Sequence, residues 1–108
     1  MTSVYEQQMK DMGGIYLEDH LGVYEWAFRR DDALKVLEDW REKKISCKGG
    51  DVIVEEGGRW RYMGDNWFCQ RDEFPTQDEY IEASISKAEE FIKNYPETGG
   101  ARYYYVLV

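Results

Sequence analysis

The side chains that could do chemistry are few: one histidine, His20, and two cysteines, Cys47 and Cys69, in 108 residues that also hold 22 carboxylates. General acid–base work needs a histidine or a carboxylate with a displaced pKa. Acyl transfer needs a nucleophile, a base and an orienting group within hydrogen-bond reach. His20 sits in the polar stretch LEDHLG and reads as a surface or loop-packing histidine. Cys47 and Cys69 lack a CxxC spacing and a single histidine cannot complete a zinc site, so neither a metal nor a cofactor is expected. Two half-buried thiols are expected instead; a disulfide would require the strand holding Cys69 to return beside the segment holding Cys47. Gly49-Gly50-Asp51 lacks the Lys and Ser/Thr of a phosphate loop and does not lead into a helix. It reads as a tight entry into a hairpin, with Asp51 accepting backbone N–H bonds. Nothing here supports an enzyme.

Binding is the chemistry that remains. The formal charge is −8, from 14 basic and 22 acidic residues. Neutralising nucleic-acid phosphates takes clustered Lys and Arg, which this chain lacks, and anionic membrane surfaces are disfavoured for the same reason. The charge is also uneven. Between positions 65 and 90, Asp65, Asp72, Glu73, Asp78, Glu79, Glu82, Glu89 and Glu90 face only Arg71 and Lys87, which places six of the eight net negative charges there. A solvated helix face explains part of that run. Its density also suits a landing surface for a basic protein, because steering raises association rates by about 10- to 1,000-fold.

The elements that must position these residues can be read from spacing. Residues 52–56 and 59–63 are rich in β-branched and aromatic side chains and flank Gly57-Gly58, which predicts a hairpin with a type I′ turn. Alternation puts Val52 and Val54 on one face and Ile53 on the other, with Trp60 and Tyr62 sharing a face of the second strand. Asp65-Asn66-Trp67 reads as an Asx-type turn that sends Trp67 into the core, and residues 66–70 as a third strand. Residues 23–28 predict a first strand with Tyr24, Trp26 and Phe28 on one face. A helix capped by Asp31 or Asp32 runs to about residue 44, with Ala33, Val36, Leu37 and Trp40 inside and Lys35, Glu38, Asp39, Arg41 and Glu42 facing water.

The clearest helix begins at Thr76, whose T-x-x-E pattern with Glu79 is a capping box, and repeats apolar residues to Tyr95 before Pro96 ends it. The apolar run YYYVLV then predicts a strand buried on both faces. Residues 1–14 form either a short helix, capped by Thr2 or Ser3 with Val4, Tyr5, Met9 and Met12 as its stripe, or a frayed terminus. Residues 15–22 show no clear period. With no apolar run of membrane-spanning length and a polar start, the chain reads as cytoplasmic. The expected architecture is α+β: residues 15–108 as a single domain, mainly an antiparallel sheet of four to five strands with two main helices packed on it.

GVYEWAF at 22–28, GGDV at 49–52, DNWFC at 65–69, the helix EYIEASISKAEEFIKNY and the closing YYYVLV together resemble the immunity protein 40 family of bacterial polymorphic-toxin and contact-dependent growth inhibition systems. The resemblance covers roughly residues 15–108. It implies a non-enzymatic protein that binds the C-terminal domain of a cognate toxin, often a nuclease with a basic cleft, and blocks its active site or substrate surface. Contact positions do not follow from it, since GGD and DNWxC read as structural: Gly49, Gly50, Asp51, Asn66, Trp67 and Cys69 maintain the fold. The expected toxin-binding set rests on charge: Asp65, Asp72, Glu73, Asp78, Glu79 and Glu82, with Trp60 and Tyr62 as aromatic anchors. Free, the chain is expected to be a monomer or weak dimer. The rival reading is a small acidic adaptor or structural subunit with no toxin partner.

Overall fold

Gly57 and Gly58 take φ of 59° and 83°, the two positive values that a type I′ turn demands. In the computed structural model, which describes residues 3–108, this turn joins strands β3 (Gly49–Glu56) and β4 (Arg59–Phe68). The expected hairpin is present and longer at its open end. Gly49-Gly50-Asp51 is therefore the start of a strand and not a turn leading into one. Gly50 pairs with Trp67 on one side and Leu107 on the other, and a Cβ there would run into the Val106 carbonyl and the Trp67 ring. Glycine is needed for close approach. Likewise Asp65-Asn66-Trp67 is neither a turn nor part of a separate strand. β4 continues through a bulge, where Gly64 takes φ of 85° and lets the strand absorb extra residues without breaking.

The hairpin forms one side of a sheet whose order is β1-β2-β5-β3-β4, with β1 at Ile15–Tyr16, β2 at Trp26–Phe28 and β5 at Arg102–Leu107. Every pairing is antiparallel. β5 lies in the middle and is buried on both faces, as its continuous apolar run requires. β2 is shorter than expected, and Tyr24, at 75% exposed, does not share the buried face of Trp26 and Phe28. β1 and the single-turn helix α2 (Glu18–Leu21) fill residues 15–22, where two residues and one turn are too short to show a period.

Helices α3 (Arg30–Glu42) and α4 (Gln77–Asn94) pack against each other and against one face of the sheet. The buried stripe of α3 is Ala33, Val36, Leu37 and Trp40, as read from spacing. Its start is not an aspartate cap: Arg29 precedes the first turn, and Asp31 and Asp32 lie within it, favourably placed for the helix dipole. In α4 the Thr76 hydroxyl accepts the Glu79 N–H at 3.2 Å and Tyr80, Ile81, Ser84, Ile85, Ala88 and Ile92 are buried. Arg30 reaches across to donate to the carbonyls of Ile92, at 3.0 Å, and Tyr95, so the end of α4 is satisfied from α3.

Ahead of the sheet lies α1 (Val4–Asp11), capped by the Ser3 hydroxyl, which accepts the Glu6 N–H at 3.1 Å. Thr2, the other candidate cap, falls outside the described residues. Of the expected stripe only Met9 is buried, while Val4 and Tyr5 are 76% and 55% exposed. Among the described residues the architecture is thus α+β, a five-stranded antiparallel sheet with its two long helices on one face.

Candidate partner-binding surfaces

The acidic run bends into an arc at the start of α4. Asp72 and Glu73 occupy a 3-10 turn (Arg71–Glu73), and Asp78 and Glu79 lie in the first turn of α4. All four are exposed, and among the described residues none forms a salt bridge. Arg71 turns inward to the loop, donating to the Phe74 carbonyl at 2.7 Å and to Gln77 Oε1 at 2.8 Å. Asp78 and Glu79 lie at the helix N-terminus, where acidic side chains suit the helix dipole, and among the described residues no cation pairs with them.

Two members of the expected set are engaged within the fold. Asp65 accepts the Tyr95 hydroxyl at 2.6 Å, and burial together with that contact pushes the Tyr95 phenol up to about 12. Glu82 meets Arg41, which was expected to face water but instead joins three carboxylates across the two helices: Glu89 at 2.6 Å, Glu38 at 2.7 Å and Glu82 at 3.1 Å. Hydrogen bonds to Glu89 and Glu82 hold the guanidinium above its ordinary pKa. An arginine one step off the buried stripe of α3 meets whatever the facing helix presents, and α4 presents Glu82 and Glu89.

Trp60 and Tyr62 lie on the opposite face of the sheet from α3 and α4. They do not join the acidic arc. Trp60 is the centre of a stack, with His20 at 4.3 Å and Tyr104 at 5.0 Å between ring centroids, and Arg29 sits 5.6 Å above the Tyr104 ring. This second face has its own small core of Leu17, Ala27, Ile53, Tyr104 and Val106. The connection between β1 and β2, with α2, is its cover, and that cover reaches β4 at Trp60 but does not extend over the rest of that strand. Tyr62 and Phe68 are 41% and 59% exposed.

The motif residues divide between the two faces. Gly49, Gly50, Trp67 and Cys69 are buried, with Trp67 packed on Phe91 at 4.7 Å. The register places Ala27, Val106, Asp51 and Asn66 in one row across the open face. Asp51 is thus half-buried within a strand instead of bonding turn amides, and Asn66 beside it is exposed. Glu25, which sequence reasoning did not single out, precedes β2 on the same face; burial first and the Asp51 charge second push its carboxyl up. The Tyr62 phenol is pushed up by burial, then by Glu25 and Asp51. Both thiols are free and buried, Cys47 completely, which is more than expected; burial raises Cys47 to about 11 and Cys69 in the same direction.

Among the described residues no group of three or more His, Cys, Asp or Glu side chains is placed to hold a metal ion, and no helix is long and apolar enough to cross a membrane. What the arrangement can do is present charge at one end and a polar, aromatic sheet surface at the other. Comparison with curated proteins and with solved structures returned no match. The family model described as immunity protein 40 matches residues 16–108, which take in both long helices and nearly all of the sheet; the chain belongs to the immunity protein 40 family, proteins whose role is immunity against a cognate toxin.

Proposed function

We propose that this protein neutralises the C-terminal effector domain of its cognate toxin by tight one-to-one binding in the cytoplasm, without catalysis, covering that domain's active site or substrate surface. The effector fits best as a nuclease, since a nuclease carries a basic cleft for phosphates. The observation that carries the reading is the acidic arc in a chain of this family: Asp72, Glu73, Asp78 and Glu79 stand exposed and, among the described residues, without a salt-bridge partner. Carboxylates held there take the place of substrate phosphates as a basic domain approaches, and the acidic surface steers the encounter. Asp65 and Glu82 flank the arc, each already holding a group of its own chain.

The test is co-expression with the C-terminal domain of the large protein encoded beside this gene, scoring survival and co-purification. Rescue with a stoichiometric complex supports the reading. Reversing Asp72, Glu73 and Asp78 to lysine should then slow association by about tenfold or more and flatten its salt dependence. Unchanged association after that reversal would remove the arc from the mechanism, and absence of both toxicity and complex would remove the toxin.

A further inference from the structure

GGD and DNW each contain residues whose place the fold explains and one whose place it does not. Gly49 and Gly50 allow the backbones to close up, and Trp67 fills the helix side of the sheet. Asp51 and Asn66 are Cα partners in the β3–β4 ladder and face the other way. Among the described residues neither side chain makes a hydrogen bond within the chain, and neither Asp51 nor Glu25 meets a Lys, Arg or His within salt-bridge distance. One row along, Tyr62 pairs with Ile53 and stands 41% exposed, and beyond Asn66 on the same strand face Phe68 is 59% exposed. Lys87, the cation that reaches this edge from α4, lies over the Phe68 ring at 5.8 Å and forms no salt bridge.

We propose that this uncovered part of the sheet is where the protein grips its partner, and that it takes a basic side chain, an arginine in particular, from the toxin's effector domain. The proposal rests on the neutralisation reading and adds the place and chemistry of the contact. Two half-buried carboxylates without a counter-ion are poorly solvated and repel each other, so a cation brought to them gains more than it would from exposed acids. A guanidinium suits the surroundings as well as the charge: it donates in a planar fork to Asp51 and Glu25, leaves a donor for the Asn66 carbonyl, and lays its face on the Tyr62 ring. A second copy of this chain is the poorer occupant, because it would bring four carboxylates together and, at this edge, only Lys87, which already lies over the Phe68 ring.

The acidic arc and the open face then have separate duties. The arc, on the helix side, sets how fast the partner arrives, while Asp51, Glu25, Asn66 and Tyr62 set how long it stays.

The deciding experiment measures kinetics of the effector domain on the immobilised full chain, comparing wild type with E25Q/D51N, with Tyr62→Ala, and with the lysine reversal of Asp72, Glu73 and Asp78. The glutamine and asparagine replacements keep shape and remove charge, so the fold, read by circular dichroism and Tm, should hold. Expected is a Kd raised by about 30-fold or more in E25Q/D51N, and a smaller rise in Tyr62→Ala, both through faster dissociation. Wild-type dissociation rates in both variants would overturn the open face while leaving neutralisation intact. A wild-type chain that neither binds nor protects would overturn neutralisation and the open face together. A wild-type dimer in sedimentation that E25Q/D51N tightens would also overturn the proposal, by assigning the face to a second copy.

Discussion

On the helix side of the sheet Phe28, Val52, Val54 and Tyr105 are each 1% exposed or less. On the other side the cover ends at residues 17–23 and leaves Tyr62, Asn66 and Phe68 open to solvent. The same strands supply both faces, so the difference lies in what is laid on them: two helices of 13 and 18 residues against one of four. Burying each large apolar side chain contributes about 1.5–3 kcal/mol, so the helix side carries stability and tolerates little change. The open side contributes less to folding. Its residues are free to fit a partner.

The largest loss of stability is expected at Gly50. A methyl group there meets the Val106 carbonyl and the Trp67 ring, and backbone in the middle of a ladder cannot step aside cheaply. Gly50→Ala should lower the unfolding free energy by about 3 kcal/mol, read from urea melts with an unchanged slope. Next is Ser84, fully buried in α4, whose hydroxyl accepts the Cys47 N–H at 3.1 Å and donates to the Ile81 carbonyl at 2.9 Å. Ser84→Ala leaves the Cys47 amide without an acceptor and should cost about 1–3 kcal/mol in the same melts. A cost near zero for either would mean that the helix side is less tightly specified than its burial indicates.

Ser84 also shows where reading the sequence succeeds and where it stops. Its place on the α4 stripe, the cap at Thr76, the hairpin turn and the central strand β5 all follow from local pattern, because period, capping and turn chemistry act over a few residues. The strand character of Gly49-Gly50-Asp51 does not, since it depends on Trp67 and Val106 arriving from elsewhere in the chain. The same holds for Arg41, two of whose three carboxylates, Glu82 and Glu89, come from a helix about 40 to 50 positions on. Of the expected contact set, the exposure of Asp72, Glu73, Asp78 and Glu79 was legible as a charge run. That Trp60 and Tyr62 lie on the far face, and that Glu25 comes within electrostatic reach of Asp51, depends on strand order, for which a single sequence carries no signal.

On the open side Tyr62→Ala should lower the unfolding free energy by about 1 kcal/mol, well short of the loss at Gly50, because a ring already 41% exposed gives up only partial burial and its cross-strand contact with Ile53. The same substitution is expected to speed dissociation of the effector domain. Side by side, Gly50→Ala and Tyr62→Ala therefore separate folding from binding: the first should be read in the melt and the second in the complex. Equal destabilisation by both would erase the distinction between the faces.

The smallest expected effect on stability has the most telling sign. Asp51→Asn removes one of two neighbouring carboxylates, so the free protein should become more stable at neutral pH by about 0.2–1 kcal/mol, the scale of an exposed charge pair. The pH dependence follows from Glu25, whose folded pKa is raised, by burial first and by Asp51 second, above its ordinary 4.5. Such a group favours the folded state below its unfolded pKa and loses that contribution as pH rises through the folded pKa, so at neutral pH it carries a penalty of which Asp51 is one cause. Asp51→Asn lifts that part at neutral pH, and the gain fades in acid where Glu25 is protonated in both states. Urea melts at neutral and acid pH measure it. A residue kept for binding should stabilise the free protein when replaced and weaken the complex, the trade-off expected at a contact site. If Asp51→Asn instead destabilises the free protein at neutral pH, Asp51 belongs to the fold with Gly50 and Trp67, and the open face loses its principal anchor.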